Sequence, residues 1–575
     1  MTTTSPDRPA PAEDTASPLR ATVRRTRTSC AVLFLVATVS TGLSLALPLT
    51  LGRALDVLLA HPDGTGALRW VLWCAVIVLL LAVLDAVDTV LSGTTDARAT
   101  AWLRHRLTGH LLAVGPRAGE RFGSGELVAR LVGNAAQAGT APAALAALLA
   151  ALAGPAGAVV ALGLLDPWLA VVFLAGAPLL ALLLRAFTQD SARCVAAYQD
   201  AQGRIASGLT EAIRGARTIA ACGTADREVA RVLRPLSELT RAGHRMWHVQ
   251  GRAAARAVTL APLLQLGVVA VAGVLLVRGR LTVGEMLAAS RYAVLAAGVG
   301  VLVGQLSGLV RARASARRLG EVLAEPVTAY GSRRLPPGRG RLELRGVTAR
   351  RGGRTLLDGV DLVVPEGGTL AVVGRSGAGK SLLAALAGRL ADPDEGTVLL
   401  DGVPLPELDH DELRGAIGYA FERPALLGDT VADTIGFGVR TAPPDRIRAG
   451  AAAARADTFV RRLPDGYATP CRAAPLSGGE RQRLGLARVL ARDSRLLILD
   501  DALSSLDTVT EHQVVDALLH HSPGGTRVIV AHRVSSAARA DTVVWLDAGR
   551  VRAVGTHARL WRERGYREVF ANAGE

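Results

Sequence analysis

The sequence predicts an all-α, membrane-spanning domain followed by an α/β domain that binds phosphate. Three observations predict it. Half of the 575 residues are hydrophobic, yet only 4% are aromatic. The apolar residues are mostly Ala, Leu and Val. They fall in long runs before about residue 310, which marks membrane spans rather than an enlarged soluble core. From Arg341 the pattern changes to short β-rich runs alternating with helices. Near the head of that second part stands Gly374-Arg375-Ser376-Gly377-Ala378-Gly379-Lys380-Ser381, which fits G-x-x-x-x-G-K-[ST] at every fixed position.

Residues 1–27 are polar and Pro/Thr-rich and end in Arg20, Arg24, Arg25 and Arg27, so a disordered basic arm is expected. The run Ser29–Leu51 is too long for a signal-peptide core and has no clean cleavage site, so it reads as the first span. Five more follow: Trp70–Leu91, Thr140–Leu164, Pro167–Phe187, Val258–Val277 and Met286–Val310. Each is near the ~20 residues that cross the hydrocarbon. Pro142, Pro155, Pro178 and Pro262 fall within or at the ends of spans and are candidates for kinks.

The links alternate. His61–Ala67, the neighbourhood of Asp166, and Arg278–Glu285 are short. The other two are long, polar and arginine-rich: Arg98, Arg104, Arg106, Arg117, Arg121 and Arg130 lie in one, Arg193, Arg204, Arg214, Arg217 and Arg227 in the other. The positive-inside rule puts the long links and both termini in the cytoplasm. Both long links have helical periodicity, so they read as helices continuing the spans. The domains expected are a membrane domain over 28–325, a Pro/Gly-rich linker over 326–340 and a nucleotide-binding domain over 341–575.

The net charge of +16 comes with no nucleic-acid reader motif and no aromatic interleaving, so the arginines are read as span flanks, not as a nucleic-acid surface. Cys30, Cys74, Cys194, Cys222 and Cys471 are scattered and odd in number, which fits neither a disulfide framework nor a metal site.

The strand Thr369–Val373 and the helix opening at Leu382 give the glycine-rich loop its needed context. Gly374, Ser376, Gly377, Ala378 and Gly379 let backbone N–H groups wrap phosphates at a helix N-terminus. Lys380 is placed to reach the β- and γ-phosphates of ATP, and Ser381 to ligate Mg2+. Lys380 is also the only lysine in the chain. A compact ammonium fits inside such a loop, and a guanidinium fork does not.

Four further elements complete a site. Leu496-Leu497-Ile498-Leu499-Asp500-Asp501 is a buried strand ending in two carboxylates. Asp500 can hold magnesium and Asp501 can polarise an attacking water. Leu476-Ser477-Gly478-Gly479-Glu480 opens a helix and offers a second anion site through Ser477 and the amides of Gly478 and Gly479. A second phosphate-binding helix end suggests ATP sandwiched between two such domains. Ser504-Ser505-Leu506-Asp507 follows, and then His532 after an apolar strand, within reach of a γ-phosphate.

With these motifs in this order, the chain resembles an ATP-binding-cassette (ABC) exporter of the half-transporter type, over about residues 28–570. Leu476–Glu480 matches the family signature, which is far more specific than the phosphate loop alone. The resemblance implies a dimer with a second half-transporter, with ATP and Mg2+ as cofactors. It implies that Ser477, Gly478, Gly479 and Glu480 act on the partner's ATP and that Asp507 lies in a dimer-contact loop. It also implies short coupling helices near Gly115–Phe122 and near Glu211–Gly215. Closure of two domains on two ATP molecules would turn the spans outward, and hydrolysis would reset them.

The chain departs from the family pattern at its own catalytic face. Asp501 stands where the family has a catalytic glutamate. Glu422 stands where a mobile-loop glutamine contacts magnesium, and Arg351 where an aromatic stacks on adenine. Cys471-Arg472-Ala473-Ala474-Pro475 replaces an acidic loop. An intact signature beside a weakened carboxylate suits the degenerate-site half of a heterodimer; a slow homodimer and an ATP-binding regulatory subunit with negligible hydrolysis are the alternatives. An importer subunit is disfavoured because spans and ATPase are fused and no substrate-capture domain is present. The apolar spans suggest a small hydrophobic or amphipathic cargo. The Arg/Ala-rich, lysine-poor composition suggests a GC-rich bacterium, hence its plasma membrane.

Overall fold

Ala-, Leu- and Val-rich segments fold into long helices wherever no Gly/Pro cluster interrupts them. The computed structural model describes residues 18–60, 65–297, 299–439, 442–521 and 525–571. Its first unit contains helices Arg27–Ala60, Thr65–Val114, Ala141–Leu165, Pro167–Arg214 and Leu236–Val277, then Val283–Ala297 and Val299–Leu323. Among the described residues, three stretches are long and apolar enough to cross a membrane: Arg27–Ala60, Leu68–Val114 and Gly125–Leu165. Pro167–Pro178 and Pro262–Val277 are shorter apolar pieces. The expected fourth to sixth spans run partly through residues whose side chains lie outside the described set.

The helices outlast the apolar runs, as the periodicity of the long links predicts. Thr65–Val114 continues well past Leu91, and Leu236–Val277 begins well before Val258. They also run unbroken through Pro48, Pro155, Pro178 and Pro262.

Two expectations need correction. The basic arm is not irregular throughout: Pro18–Arg25 is a helix, while residues 1–17 lie outside the described residues. Leu19 gives the reason, since it packs on an apolar cluster with Leu103, Leu107, Leu319 and Val322. The short helix expected near Glu211–Gly215 begins just beyond that range. Glu211–Arg214 closes the long helix Pro167–Arg214, and the separate short helix is Ala216–Cys222, beyond the break at Gly215. The other expected short helix lies in place, at Pro116–Phe122. The segment His61–Gly64 lies outside the described residues.

The core of this unit is built from small residues around a few large ones: Leu162, Leu169, Phe173, Val268, Leu275 and Tyr292. Small residues let helix backbones approach. The closest approach is at Gly52 and Gly284, where a Cβ on Gly52 would stand 2.4 Å from the Gly284 carbonyl oxygen. The short links are tied here. Asp56 accepts from the Gly284 amide at 2.7 Å and from the Thr282 hydroxyl at 2.6 Å. Asp166, buried, accepts from the Trp168 amide at 3.0 Å and pairs with Arg280 at 2.7 Å.

The second unit begins at Val327. The expected linker is fastened to it: the Arg333 amide donates to Glu407 O and the Asp409 amide to Arg333 O. Two sheets follow. One is antiparallel, with β1 (Leu342–Arg351), β2 (Arg354–Val364), β4 (Glu395–Leu400) and β5 (Val403–Pro404) in the order β2-β1-β4-β5. The other contains β3 (Thr369–Gly374), β6 (Ile417–Phe421), β7 (Leu496–Asp500), β8 (Thr526–Val530), β9 (Thr542–Asp547) and β10 (Arg550–Gly555), ordered β10-β9-β3-β8-β7-β6. All its pairings are parallel except β10 with β9. Its central strands β3 and β8 are buried along their whole length, and each carries an apolar run, Leu370–Val373 and Val528–Val530.

Candidate functional site: a nucleotide and magnesium site

A parallel sheet binds ligands outside the carboxyl ends of its strands. Four neighbouring strands, β3, β8, β7 and β6, deliver residues to that one edge. They bring Gly374, the His532 segment, Asp500 with Asp501, and Glu422 together, as the motifs predict. Phe421 is in register with Asp500 across β6 and β7, which sets Glu422 beside the carboxylate pair.

The phosphate loop leaves β3 at Gly374 and enters helix Lys380–Ala387. Gly377 and Gly379 have φ of +81° and +98°. Gly379 is required twice over: a Cβ there would also lie 2.7 Å from Leu357 Cδ2 and 3.0 Å from Leu356 O, both on β2. Lys380 is buried, and its ammonium donates to Gly374 O at 2.8 Å and Arg375 O at 3.2 Å. Burial pushes its pKa down, while Asp501 and Asp500 oppose that. Ser381 and Leu382 follow in the first turn.

Asp500 carries the strongest sign of a cation site. Tyr419 on β6 donates to its Oδ2 at 3.1 Å, but its Oδ1 is buried without a hydrogen-bond partner. Burial pushes the Asp500 carboxyl above the usual range; Ser381 and Tyr419 work against this, and the charges of Asp501 and Glu422 add to it. An orphaned buried carboxylate oxygen beside a serine hydroxyl and two more carboxylates fits a divalent cation. Among the described residues no three His, Cys, Asp or Glu side chains form a complete cage. That agrees with Mg2+, which takes one or two carboxylates and completes its shell largely with phosphate and water.

Asp501 follows immediately, with φ of +54°. Left-handed backbone is rare outside glycine and is best tolerated by Asn and Asp. Its Oδ1 stands 2.8 Å from His532 Nε2 without forming a hydrogen bond, a close approach that is ionic only with a protonated imidazole. Glu422 is half exposed, with Oε1 3.6 Å from Arg423 Nε. Arg351 ends β1 at the Gly352-Gly353 hairpin, and its guanidinium donates back to Arg350 O at 3.0 Å. Asp507 caps helix Thr508–His521 by accepting from the Thr510 amide at 2.9 Å; the Thr510 side chain first, and then its amide, hold the Asp507 carboxyl below the usual range.

The signature forms a closed capping box at helix Gly478–Leu490. The Ser477 hydroxyl accepts from the Glu480 amide at 3.3 Å, and Glu480 Oε2 accepts from the Ser477 amide and hydroxyl, each at 2.8 Å. The Ser477 amide holds the Glu480 carboxyl below its usual range.

Sequence reasoning missed three participants. Tyr419 was hidden because its partner Asp500 lies on the next strand, far along the chain. Glu511 is buried; it takes a charge-assisted bond from Arg533, next to His532, and a hydroxyl bond from Ser536. Arg533 also donates to Leu506 O at 3.1 Å, which fastens the turn before Asp507. Gln482, inside the signature helix, is the third. Its spacing was visible as the residue after Arg481, but its function depends on contacts no motif encodes.

Fold and site together define a membrane protein whose helical domain is fused to a nucleotide-binding ATPase domain. Comparison with known proteins makes this specific. Residues 30–297 match the family described as ABC transporter transmembrane region, and residues 357–504 match ABC transporter. The chain is 51% identical over 541 residues to "ABC transporter ATP-binding protein RamA" of Streptomyces coelicolor, covering 94% of this chain and 85% of that protein. It is 30% identical over 471 residues to an "ATP-dependent lipid A-core flippase" of Chromohalobacter salexigens, covering 80% and 81%. A solved bacterial Atm1-family ABC exporter with ATP bound superposes with a TM-score of 0.80 at 23% identity, over 96% of this chain and 99% of that one. The chain belongs to the ABC transporter family. It is an exporter-type half-transporter, with one membrane region and one ATPase domain.

Proposed function

We propose that this chain is the degenerate-site half of a heterodimeric exporter. It would use ATP to move a small hydrophobic or amphipathic molecule across a bacterial plasma membrane, with both termini in the cytoplasm. The observation that carries the reading is Asp501: a short carboxylate on left-handed backbone, beside a signature helix whose cap is complete.

On this reading the residues take the following roles. Lys380 and the loop amides, those of Ser376, Gly377 and Ala378 among them, would hold the β- and γ-phosphates. Ser381, Asp500 and Glu422 would hold a magnesium ion, and such an ion would supply charge stabilisation to phosphoryl transfer. Asp501 and His532 orient the attacking water. Asp501 is one methylene shorter than a glutamate, so on this reading the site would bind ATP and turn it over slowly. Ser477, Gly478, Gly479 and Glu480 face the partner's ATP, and Asp507 meets the partner near the same seam.

The test is to recover the tagged chain from its native membrane and identify what co-purifies. Recovery of one similar protein with Glu after its magnesium Asp supports the reading, and brisk hydrolysis by this chain alone overturns it. A second reading, an ATP-binding regulatory subunit with negligible hydrolysis, draws on Asp501, Glu422 and Arg351 together. Failure of Asp501→Glu to raise turnover supports it.

A further inference from the structure

Gln482 lies in the second turn of helix Gly478–Leu490 and is 2% exposed. A buried primary amide has four hydrogen-bonding demands to meet, and the way this one meets them is specific. Its Oε1 accepts from the Ser505 amide at 2.9 Å. Its Nε2 donates to Glu422 O at 2.9 Å, and its other hydrogen is shared between Ser504 Oγ at 3.1 Å and Asp501 O at 3.3 Å. Because Oε1 faces an amide N–H, the orientation of the side-chain amide is fixed. One side chain thus reaches the residue after β6, the residue after β7, and the turn leading to Asp507.

A core glutamine that only satisfied itself would need none of these partners in particular. Here every bond goes to a segment that carries a site residue. The far end of the same helix turn is the Ser477 capping box. Ser477 and Gln482 are five residues apart on one rigid helix, about 7–8 Å along its axis. Any displacement of the cap is therefore imposed on the carbonyls of Glu422 and Asp501, or it breaks the bonds.

We propose that Gln482 is a positioning residue that couples the anion site at Ser477–Glu480 to the magnesium and water side of the same chain, so that nucleotide on one face of the domain sets the geometry of the other. This rests on the reading in which Ser477–Glu480 faces a partner's ATP. Two-site couplings of this kind usually span roughly 5- to 150-fold. Four hydrogen bonds through one amide place this one near the lower end, at about ten-fold.

The experiment uses the full-length chain, with whatever partner co-purifies, in lipid nanodiscs. Binding of a fluorescent non-hydrolysable ATP analogue is titrated for wild type, Gln482→Glu, Gln482→Met and Ser504→Ala, beside Mg-ATP turnover. Wild type is expected to bind two nucleotides cooperatively. Gln482→Glu and Gln482→Met are expected to keep first-site affinity within about two-fold but lose the roughly ten-fold coupling, so that the Hill coefficient falls to one. Ser504 is exposed, so Ser504→Ala leaves folding intact even if the Gln482 variants do not fold. It is expected to lose about two-fold of the coupling, since the shared hydrogen keeps Asp501 O. Non-cooperative wild-type binding, or full cooperativity in both Gln482 and Ser504 variants, overturns the proposal. Absence of Mg-ATP turnover in wild type would count against the exporter reading, while the binding titration still decides the role of Gln482.

Discussion

Asp501→Glu is the sharpest perturbation available. The change adds one methylene and moves the carboxylate forward by about 1.5 Å. A 1 Å misplacement of a catalytic group costs on the order of 100-fold, so restoring the reach is expected to raise turnover at this chain's own phosphate loop by up to about 100-fold. The backbone opposes this. Asp501 sits at φ +54°, where Asp is tolerated and a longer L-residue loses about 1 kcal/mol. Stability is therefore expected to fall slightly while turnover rises. Vanadate trapping of a photoreactive ATP on the intact complex reads which chain holds the trapped nucleotide. Label should shift onto this chain in Asp501→Glu. If trapping and turnover stay within two-fold of wild type while nucleotide still binds, the missing methylene is not what slows the site.

Lys380→Arg keeps the charge but cannot fit between Gly374 O and Arg375 O, so it should lose ATP-analogue affinity by at least about ten-fold in a fluorescence titration. Ser477→Ala opens the capping box and should cost about 1 kcal/mol by thermal unfolding. That cost should also depend on pH. Glu480 is held below its ordinary pKa of 4.5, so the stability it contributes is complete above that value and is lost as pH falls through the depressed one; Glu480→Gln should flatten this acid limb. Tyr419→Phe removes the hydroxyl on Asp500 Oδ2 and should change the Mg2+ concentration needed for ATP binding by about five-fold, the equivalent of one hydrogen bond near 1 kcal/mol. Asp166→Asn keeps an acceptor for the Trp168 amide but loses the pair with half-exposed Arg280. It should cost about 1–2 kcal/mol in thermal unfolding, less than the 3–5 kcal/mol of a fully buried pair.

Local chemistry explains what could be read in advance. The phosphate loop is contiguous, and its glycines are demanded by dihedrals and by the approach of β2, so its signal lies within eight residues. The end of β7 and the capping box at Ser477 are equally local, and the apolar runs reveal the spans because lipid imposes a length. Tyr419 and Asp500 meet only because β6 and β7 are parallel neighbours joined by a long crossover, and no short pattern encodes that pairing. The left-handed backbone of Asp501 was invisible for a different reason: an aspartate in a strand-end pattern reads as extended. Pro18–Arg25 was misjudged because composition alone signals disorder there, whereas Leu19 finds an apolar partner surface supplied by segments 80 to 300 residues downstream.

The solitary lysine has a consequence for chemical modification. Apart from a free N-terminal amine, the chain offers acylating reagents, aldehydes and acetyl donors one primary amine, and it is the one buried between Gly374 O and Arg375 O. Burial favours its neutral, nucleophilic form while limiting access to it. Side-chain amine acylation, read as amide formation, is thus a single-site reaction, and its rate is a direct gauge of how open the loop is. Most proteins blur such a signal over dozens of surface amines. In this one, a mass shift from a single ε-amine adduct reports on the loop alone.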